Sequence, residues 1–236
     1  MIYKTFSTLA LWLLLIATSL AAEIDPAKHF NLDLSKPIHE LGPLGISLDY
    51  IAATTSGGKQ KKRTGKRDIR NIVFTSFLKF NQPVSAFSDA QLFKMAEDAF
   101  NEMRANYDKY KFYDQWDGFP TVMNILAVDN EIYLASSQKG KTWFARTMYT
   151  DTEVEKSLQR CEAMNIDLHG HRNDAKCGEV WSVRMFMKEH PDVKRMNGKG
   201  GRILAVEADA AGNPIRVRRK PPCGDVNEVK STPSTY

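Results

Sequence analysis

Residues 173–181 read Asn173-Asp174-Ala175-Lys176-Cys177-Gly178-Glu179-Val180-Trp181. This stretch predicts the start of a helix, because Asn and Asp favour N-cap positions and apolar residues at helical spacing follow. Cys177 and Glu179 would then lie in or near the first turn, where the helix dipole favours a thiolate and a carboxylate. Such a pair is able to hold a metal ion and to move a proton. The stretch supports equally a half-buried cysteine beside a capping glutamate.

The first 21 residues predict a secretory signal peptide. Lys4 is its charged residue, residues 9–17 form its apolar core, and Ser19-Leu20-Ala21 supplies the small residues that a signal peptidase requires. The core is shorter than the ~20 residues of a membrane helix, and no later apolar run reaches that length. We therefore expect a secreted protein that does not insert into a membrane.

The chain has three cysteines, Cys161, Cys177 and Cys223. In the oxidising secretory pathway cysteines tend to pair, and an odd number leaves one over. A disulfide is therefore the first expectation for any two of them, ahead of a metal site.

The formal net charge of +5 comes mostly from one basic run between Lys59 and Arg70. Residues 68–236 carry 24 Lys plus Arg and 23 Asp plus Glu, so they are nearly neutral. Their overall charge therefore does not predict nucleic-acid binding, although a local basic groove stays compatible with it.

The basic run contains two dibasic pairs, Lys62-Arg63 and Lys66-Arg67. They resemble the cleavage sites of kexin-like processing proteases. We interpret residues 22–67 as a pro-segment or flexible basic arm, and we predict a mature N-terminus at Asp68. Two alternatives remain: a nuclear-import signal for a protein that later enters a host cell, and a solvated linker.

Further elements follow from periodicity and turn chemistry. Residues 71–80 are rich in β-branched and aromatic residues and predict a strand. Ser88 and Gln91 form a capping box ahead of an amphipathic helix that runs to about residue 107. Residues 121–128 and 131–136 predict two strands, joined by a hairpin turn at Asp129-Asn130.

The second half of the chain also contains predicted helices and strands in turn. A capping box at Thr152 and Glu155 predicts a helix that carries Cys161. The helix after Cys177 should end near residues 189–191. Residues 202–208 predict a strand, residues 215–218 a short return strand, and residues 227–236 a disordered tail. The sequence therefore predicts an α/β fold with helices packed on a mixed β-sheet.

From residue 88 the order is helix, hairpin, helix with Cys-Gly-Glu, strand and Pro-Cys. This order resembles the cytidine-deaminase-like superfamily, in particular its diverged secreted toxin branches. The resemblance covers residues ~88–226 of a domain that we assign to residues 68–226. It implies a three-layer arrangement, with a C-terminus truncated relative to the family. In that family a ligand-x-Glu at a helix start and a Pro-Cys-x-x-Cys hold zinc, and the Glu relays a proton.

Carried over by position, Cys177 matches the first zinc ligand, Glu179 the proton-shuttling residue, and Cys223 the second ligand. The third ligand position is Val226, which has no donor atom, and the neighbouring Asp225 is the remaining candidate. The same resemblance brings Cys177 and Cys223 together, so a Cys177–Cys223 disulfide is the alternative to a metal site. The loop residues His169 and His171 form a further histidine pair, which we interpret as part of a polar loop.

Two functions compete on these residues. One is a secreted protein that resembles fungal effectors and acts by binding a host or competitor protein. The other is an active zinc-dependent deaminase toxin whose substrate is a nucleobase or nucleic acid. The incomplete Pro-Cys-x-x-Cys motif favours the first.

Overall fold

The computed structural model describes residues 40–54, 71–110, 119–140, 153–154, 156, 176–193, 196, 198–209 and 216–220 of the 236-residue chain. Three helices have defined bounds: α1 (Tyr50–Thr54), α2 (Asp89–Tyr107) and α3 (Gly178–Glu189). A short 3-10 helix spans Val84–Ala86. The strands are β1 (Ser47–Leu48), β2 (Asn71–Ile72), β3 (Phe74–Lys79), β4 (Val122–Val128), β5 (Glu131–Ser136), β6 (Lys139–Gly140), β7 (Arg202–Asp209) and β8 (Arg216–Lys220).

Six strands form one sheet in the order β1-β3-β5-β4-β7-β8, and β2 pairs with β6 in a separate ribbon. Every neighbouring pair among the described strands is antiparallel, whereas the sequence predicted a mixed sheet. The reason lies in strand placement. β5 is already flanked by β3 and β4, so the strand that follows α3 adds to the free edge of β4 and runs against it.

Helices α2 and α3 cover opposite faces of this sheet. Met123, Ile125 and Ala127 of β4 belong to the main core cluster with the buried face of α2. The alternate β4 residues Leu126 and Val128 pack with Phe186 of α3. This period of two is what a strand buried on both faces requires. The described domain is therefore an α/β fold with a helix on each side of an antiparallel sheet.

The helix starts agree only in part with the sequence. The capping box of α2 is confirmed, since Gln91 N–H donates to Ser88 Oγ at 3.3 Å and Ser88 N–H donates to Gln91 Oε1 at 2.8 Å. For α3 the predicted caps Asn173 and Asp174 are wrong, because Cys177 is the N-cap and the helix begins at Gly178. The β4–β5 turn is confirmed by the positive φ of 52° at Asp129.

Residues 40–54 fall within the range that the sequence assigned to a pro-segment or flexible arm, yet they belong to the folded domain. β1 pairs with β3, and Ile46, Leu48 and Ala53 are at most 2% exposed. The hydrophobic pattern of the sequence did not predict that this segment is folded, because the segment forms a two-residue strand and a five-residue helix. Neither element is long enough to establish a period.

Several predictions fall outside the described residues. They are the signal peptide at residues 1–21, the processing residues Lys66 and Arg67, the tail at residues 227–236, and the cysteines Cys161 and Cys223. Glu153, Val154 and Lys156 have helical backbone, in agreement with a helix after Thr152. In the described part of the chain, no helix combines the length and apolar character that a membrane crossing demands.

Candidate functional site

The candidate site lies at the N-terminal end of α3. Cys177 is the N-cap residue, with extended backbone at φ −74° and ψ 143°, and it is only 8% exposed. The chain that leads into it is fixed to the sheet, because Gln138 N–H donates to the Lys176 carbonyl at 2.9 Å. The structure thus places the thiol at the end of β5, where the helix begins.

Gly178 sets how closely α3 approaches the sheet. A Cβ atom at this position would lie 2.6 Å from the Ala135 carbonyl oxygen and 2.9 Å from Cβ of Asn124. The first of these atoms belongs to the backbone of a strand in a close-packed sheet, so its displacement would be energetically unfavourable. A glycine is therefore required for the helix start to rest directly on β4 and β5. The glycine between Cys177 and Glu179 was the sequence signal for this contact.

Glu179 is the second residue of α3 and is half-buried. As the acidic residue of the first turn it has a favourable interaction with the positive end of the helix dipole. The structure therefore brings Cys177 and Glu179 to the same helix end, as the sequence predicted. Together they present a thiol and a carboxylate within one turn.

Buried polar side chains lie beneath this turn. Asn124 of β4 and Ser182 of α3 are fully buried, and the Asn124 amide lies 2.7 Å from Ser182 Oγ. Ser182 Oγ also lies 3.0 Å from the Glu179 carbonyl oxygen. These bonds fix the first turn of α3 from below, because a buried polar group is costly unless it is hydrogen-bonded.

A second group of buried polar side chains joins α1 to β2 and to the residue Gln138, which follows β5. Gln138 Nε2 donates to Asn71 Oδ1 at 2.8 Å, and Asn71 Nδ2 donates to the Ala52 carbonyl at 3.2 Å. Asn71 and Gln138 are at most 3% exposed. Ala52 also packs with Trp181 of α3. The site is therefore bordered by residues of the N-terminal segment as well as by α3.

Of the zinc ligands that the resemblance implies, the structure describes Cys177. Among the residues that the structure describes, no group of three or more His, Cys, Asp or Glu side chains is able to hold an ion. Cys223 and Asp225 lie outside the described residues, as do His169 and His171. Zinc in proteins usually has three or four protein ligands. Under the deaminase-like resemblance, the third ligand position would be Val226, which has no donor atom, so the implied donor set would fit a complete zinc site poorly.

At the other end of α3 lies a buried carboxylate that sequence reasoning missed. Glu131 begins β5 and is 4% exposed. Its Oε2 accepts from Tyr133 Oη at 2.7 Å and lies 2.6 Å from His190 Nε2, and its Oε1 accepts from Lys79 Nζ at 2.9 Å. We call these four residues the Glu131 cluster. Its signal in the sequence was weak, since the residues are far apart along the chain.

Burial by itself would raise the pKa of Glu131. The hydrogen bonds from Tyr133, His190 and Lys79 outweigh that effect and lower the pKa of Glu131 to about 2. Burial and the Glu131 carboxylate raise the pKa of Tyr133, so the phenol stays protonated and donates. His190 is the C-cap of α3 and lies against Phe186 with ring centroids 4.6 Å apart. The cluster fastens the C-terminal end of α3 to the β4–β5 hairpin.

An open groove of about 430 Å³ lies along the β1 side of the sheet. Its wall includes Ser47 of β1, Thr75 and Phe77 of β3, and Met185 of α3. Phe77 is 42% exposed, although its ring contacts that of Tyr133 with centroids 5.0 Å apart. The groove is separate from the N-terminal end of α3.

Comparisons with protein-family models, with curated proteins and with solved structures found no match. The functional assignment therefore rests on the geometry of the chain itself.

Proposed function

We propose that this chain is a secreted, effector-like protein that acts on a host or competitor protein by binding. Its α/β domain is a diverged member of the deaminase-like group, in which the metal site has decayed. The observation that carries the proposal is the position of Cys177 and Glu179. Cys177 is the N-cap and Glu179 lies in the first turn of a helix whose glycine rests on the sheet.

The order of elements supports the relationship. Helix α2, the β4–β5 hairpin, helix α3 and strand β7 follow one another as the resemblance requires. α2 and α3 lie on opposite faces of the sheet, which is compatible with a three-layer deaminase-like arrangement. Fold likeness alone does not establish an activity, so the function must be argued from the site.

The ligand set supports binding over catalysis. A catalytic zinc needs three protein ligands and an open fourth position for water. Val226 supplies no donor where the third ligand would lie. In the oxidising secretory pathway, Cys177 and Cys223 would then form a disulfide in place of a metal site. In this proposal the bridge fixes the helix start and the protein surface provides the activity.

An active deaminase is the second candidate, and one observation favours it. Glu179 keeps the position of a proton-relaying carboxylate, half-buried in the first turn beside the Cys177 N-cap. In that case Asp225 would complete the ligand set and the substrate would be an amino-bearing nucleobase, free or in a nucleic acid.

Two measurements on the purified secreted protein separate these candidates. Elemental analysis gives the zinc content, and thiol titration under denaturing conditions counts free cysteines. We expect no stoichiometric zinc and one reactive thiol, because two of the three cysteines are bridged. One bound zinc per chain with three reactive thiols would contradict the binding proposal.

An activity assay completes the comparison. The parent and Glu179→Gln proteins are incubated with cytidine, adenosine and single-stranded DNA and RNA, and ammonia release is measured. We expect no release by either protein. Release by the parent that the Glu179→Gln variant loses, while its zinc content is retained, would establish the enzyme and overturn the proposal.

A further inference from the structure

The N-terminal segment, residues 40–54, is attached to the rest of the domain by its contacts with β3, α2 and Tyr110. In β1, Ser47 pairs with Thr75 and Leu48 with Phe74 of β3. The Asp49 N–H extends this pairing by donating to the Val73 carbonyl at 2.8 Å. The segment is therefore a strand added to the edge of β3, with a short helix after it.

Side chains of α2 bind the backbone of the segment. Glu102 accepts from the Leu44 N–H at 2.7 Å and from the Ile46 N–H at 3.3 Å, one oxygen to each. Asn106, which is 3% exposed, donates to the Ile46 carbonyl at 2.7 Å. Gly42 lies so close to Glu102 that a Cβ atom would be 2.4 Å from its Cδ. These contacts recognise an extended main chain, as in strand-addition complexes.

The segment also fills part of the hydrophobic core. Ile46, Leu48 and Ala53 are 1%, 2% and 0% exposed and belong to the main core cluster with α2 and the sheet. Tyr50 Oη lies 2.7 Å from Tyr110 Oη in a buried pair. Removing the segment would expose this core and leave the Asn106 amide and the Tyr110 hydroxyl without these partners. Both consequences are unfavourable.

We propose that cleavage within residues 55–70 does not release the N-terminal piece, and that the cut protein remains one folded, non-covalent two-chain molecule. The binding surface is the edge of β3 together with Glu102 and Asn106 of α2, and its occupant is the segment itself. This inference builds on the processing predicted for Lys66-Arg67. Cutting a linker lowers the effective concentration of the segment, but it leaves these described contacts in place. The processed protein then has two N-termini, at Ala22 and Asp68.

An engineered cut tests retention without relying on natural processing. The site of a sequence-specific protease replaces Lys62–Arg67 in the full chain, and the purified protein is cut to completion. At micromolar concentration we expect both pieces to co-elute in size-exclusion chromatography. The thermal midpoint of the cut protein, unlike that of the uncut protein, should rise with protein concentration. Elution of the N-terminal piece apart from a larger piece that keeps its circular dichroism spectrum would overturn the proposal.

A matched pair of variants checks the surface. Glu102→Ala removes two hydrogen bonds to the segment backbone, whereas Glu97→Ala removes a carboxylate of α2 that makes no hydrogen bond to the segment among the described residues. After cutting, we expect Glu102→Ala to weaken the association of the two pieces at least tenfold and Glu97→Ala to leave it unchanged. Equal dissociation constants for the two variants would contradict the assigned surface.

N-terminal sequencing of the naturally secreted protein separates the two parts of the argument. Two sequences in equal amounts, one from residue 22 and one from residue 68, support both processing and retention. A sequence from residue 68 alone overturns retention. A sequence from residue 22 alone overturns the processing step, and the engineered cut then decides retention by itself.

Discussion

The two ends of α3 meet the sheet in different ways. At the C-terminal end, the Glu131 cluster joins the helix to the β4–β5 hairpin through a buried carboxylate with three partners. At the N-terminal end, Gly178 lets the helix rest on strand backbone, and the acidic residue Glu179 is half-buried. The Cys-Gly-Glu motif, which is easily seen in the sequence, therefore lies at the N-terminal end of α3, where the candidate site is. A buried carboxylate with three polar partners is at the opposite end, which no sequence motif indicated.

Substitution of Glu131 should have the largest effect. Glu131→Gln removes the charge and replaces one carboxylate oxygen with an NH2 group, which then faces the Lys79 ammonium or, in the other orientation, the donors of Tyr133 and His190. We expect a loss of about 3 kcal/mol in the free energy of unfolding, measured by urea denaturation at pH 7. Lys79→Met is the control and should cost less than about 1 kcal/mol, because the Lys79 side chain is 63% exposed. Equal losses would mean that the buried hydrogen bonds contribute nothing beyond the surface ion pair.

The same carboxylate should determine part of the acid sensitivity. The pKa of Glu131 is lower in the folded protein, at about 2, than its ordinary value of 4.5, so the folded state binds fewer protons. Its contribution is therefore complete above pH 4.5 and is lost as the pH falls toward 2. We expect the difference in unfolding free energy between the parent and Glu131→Gln proteins to shrink by about 2 to 3 kcal/mol across that window. A difference that stays constant from pH 6 to pH 2 would contradict the assigned role.

Gly178→Ala tests the opposite end. The added Cβ would meet the Ala135 carbonyl, so the helix start must shift, and we expect a loss of about 2 kcal/mol in the free energy of unfolding. Gly198→Ala is the matched control, since Gly198 has φ +79° and a Cβ added there would have no atom within 4 Å. We expect the Gly198→Ala variant to lose about 1 kcal/mol in the free energy of unfolding, from backbone strain alone. A smaller loss at Gly178 than at Gly198 would show that the close approach to the sheet is unimportant.

Glu179→Gln should have the smallest effect. This carboxylate interacts with the helix dipole at a half-buried position. We therefore expect the neutral glutamine to lower the free energy of unfolding by about 0.5 kcal/mol, measured by thermal or urea denaturation. The same substitution at Glu131 should cost several times more. A large loss at Glu179 would indicate that this carboxylate has a structural role beyond its interaction with the helix dipole.

The features that local chemistry determines could be predicted from the sequence. The Ser88–Gln91 capping box, the Asp129-Asn130 hairpin and the approximate start of α3 each depend on residues within a few positions of one another. The strand direction of the sheet could not be predicted, because it depends on which edge β7 joins. The Glu131 cluster was missed for the same reason, since Lys79, Glu131 and His190 meet only after the sheet has formed.

The N-terminal segment shows a second limit of pattern analysis. Ile46 and Leu48 are core residues, but they are surrounded by glycines, prolines and polar residues that resemble a linker. Their burial is decided by Glu102, Asn106 and the edge of β3, which lie 26 or more positions further along the chain. At the candidate site, by contrast, Cys177 and Glu179 are neighbours, so their proximity was predictable.

The clamp that Glu102 forms on the backbone also protects one border of the sheet. An open strand edge invites pairing with another molecule and so promotes aggregation. The Leu44 and Ile46 amides are occupied by a carboxylate of α2, and β1 is only two residues long. The Glu102 contacts and the shortness of β1 therefore disfavour growth of the sheet into a fibril at this border.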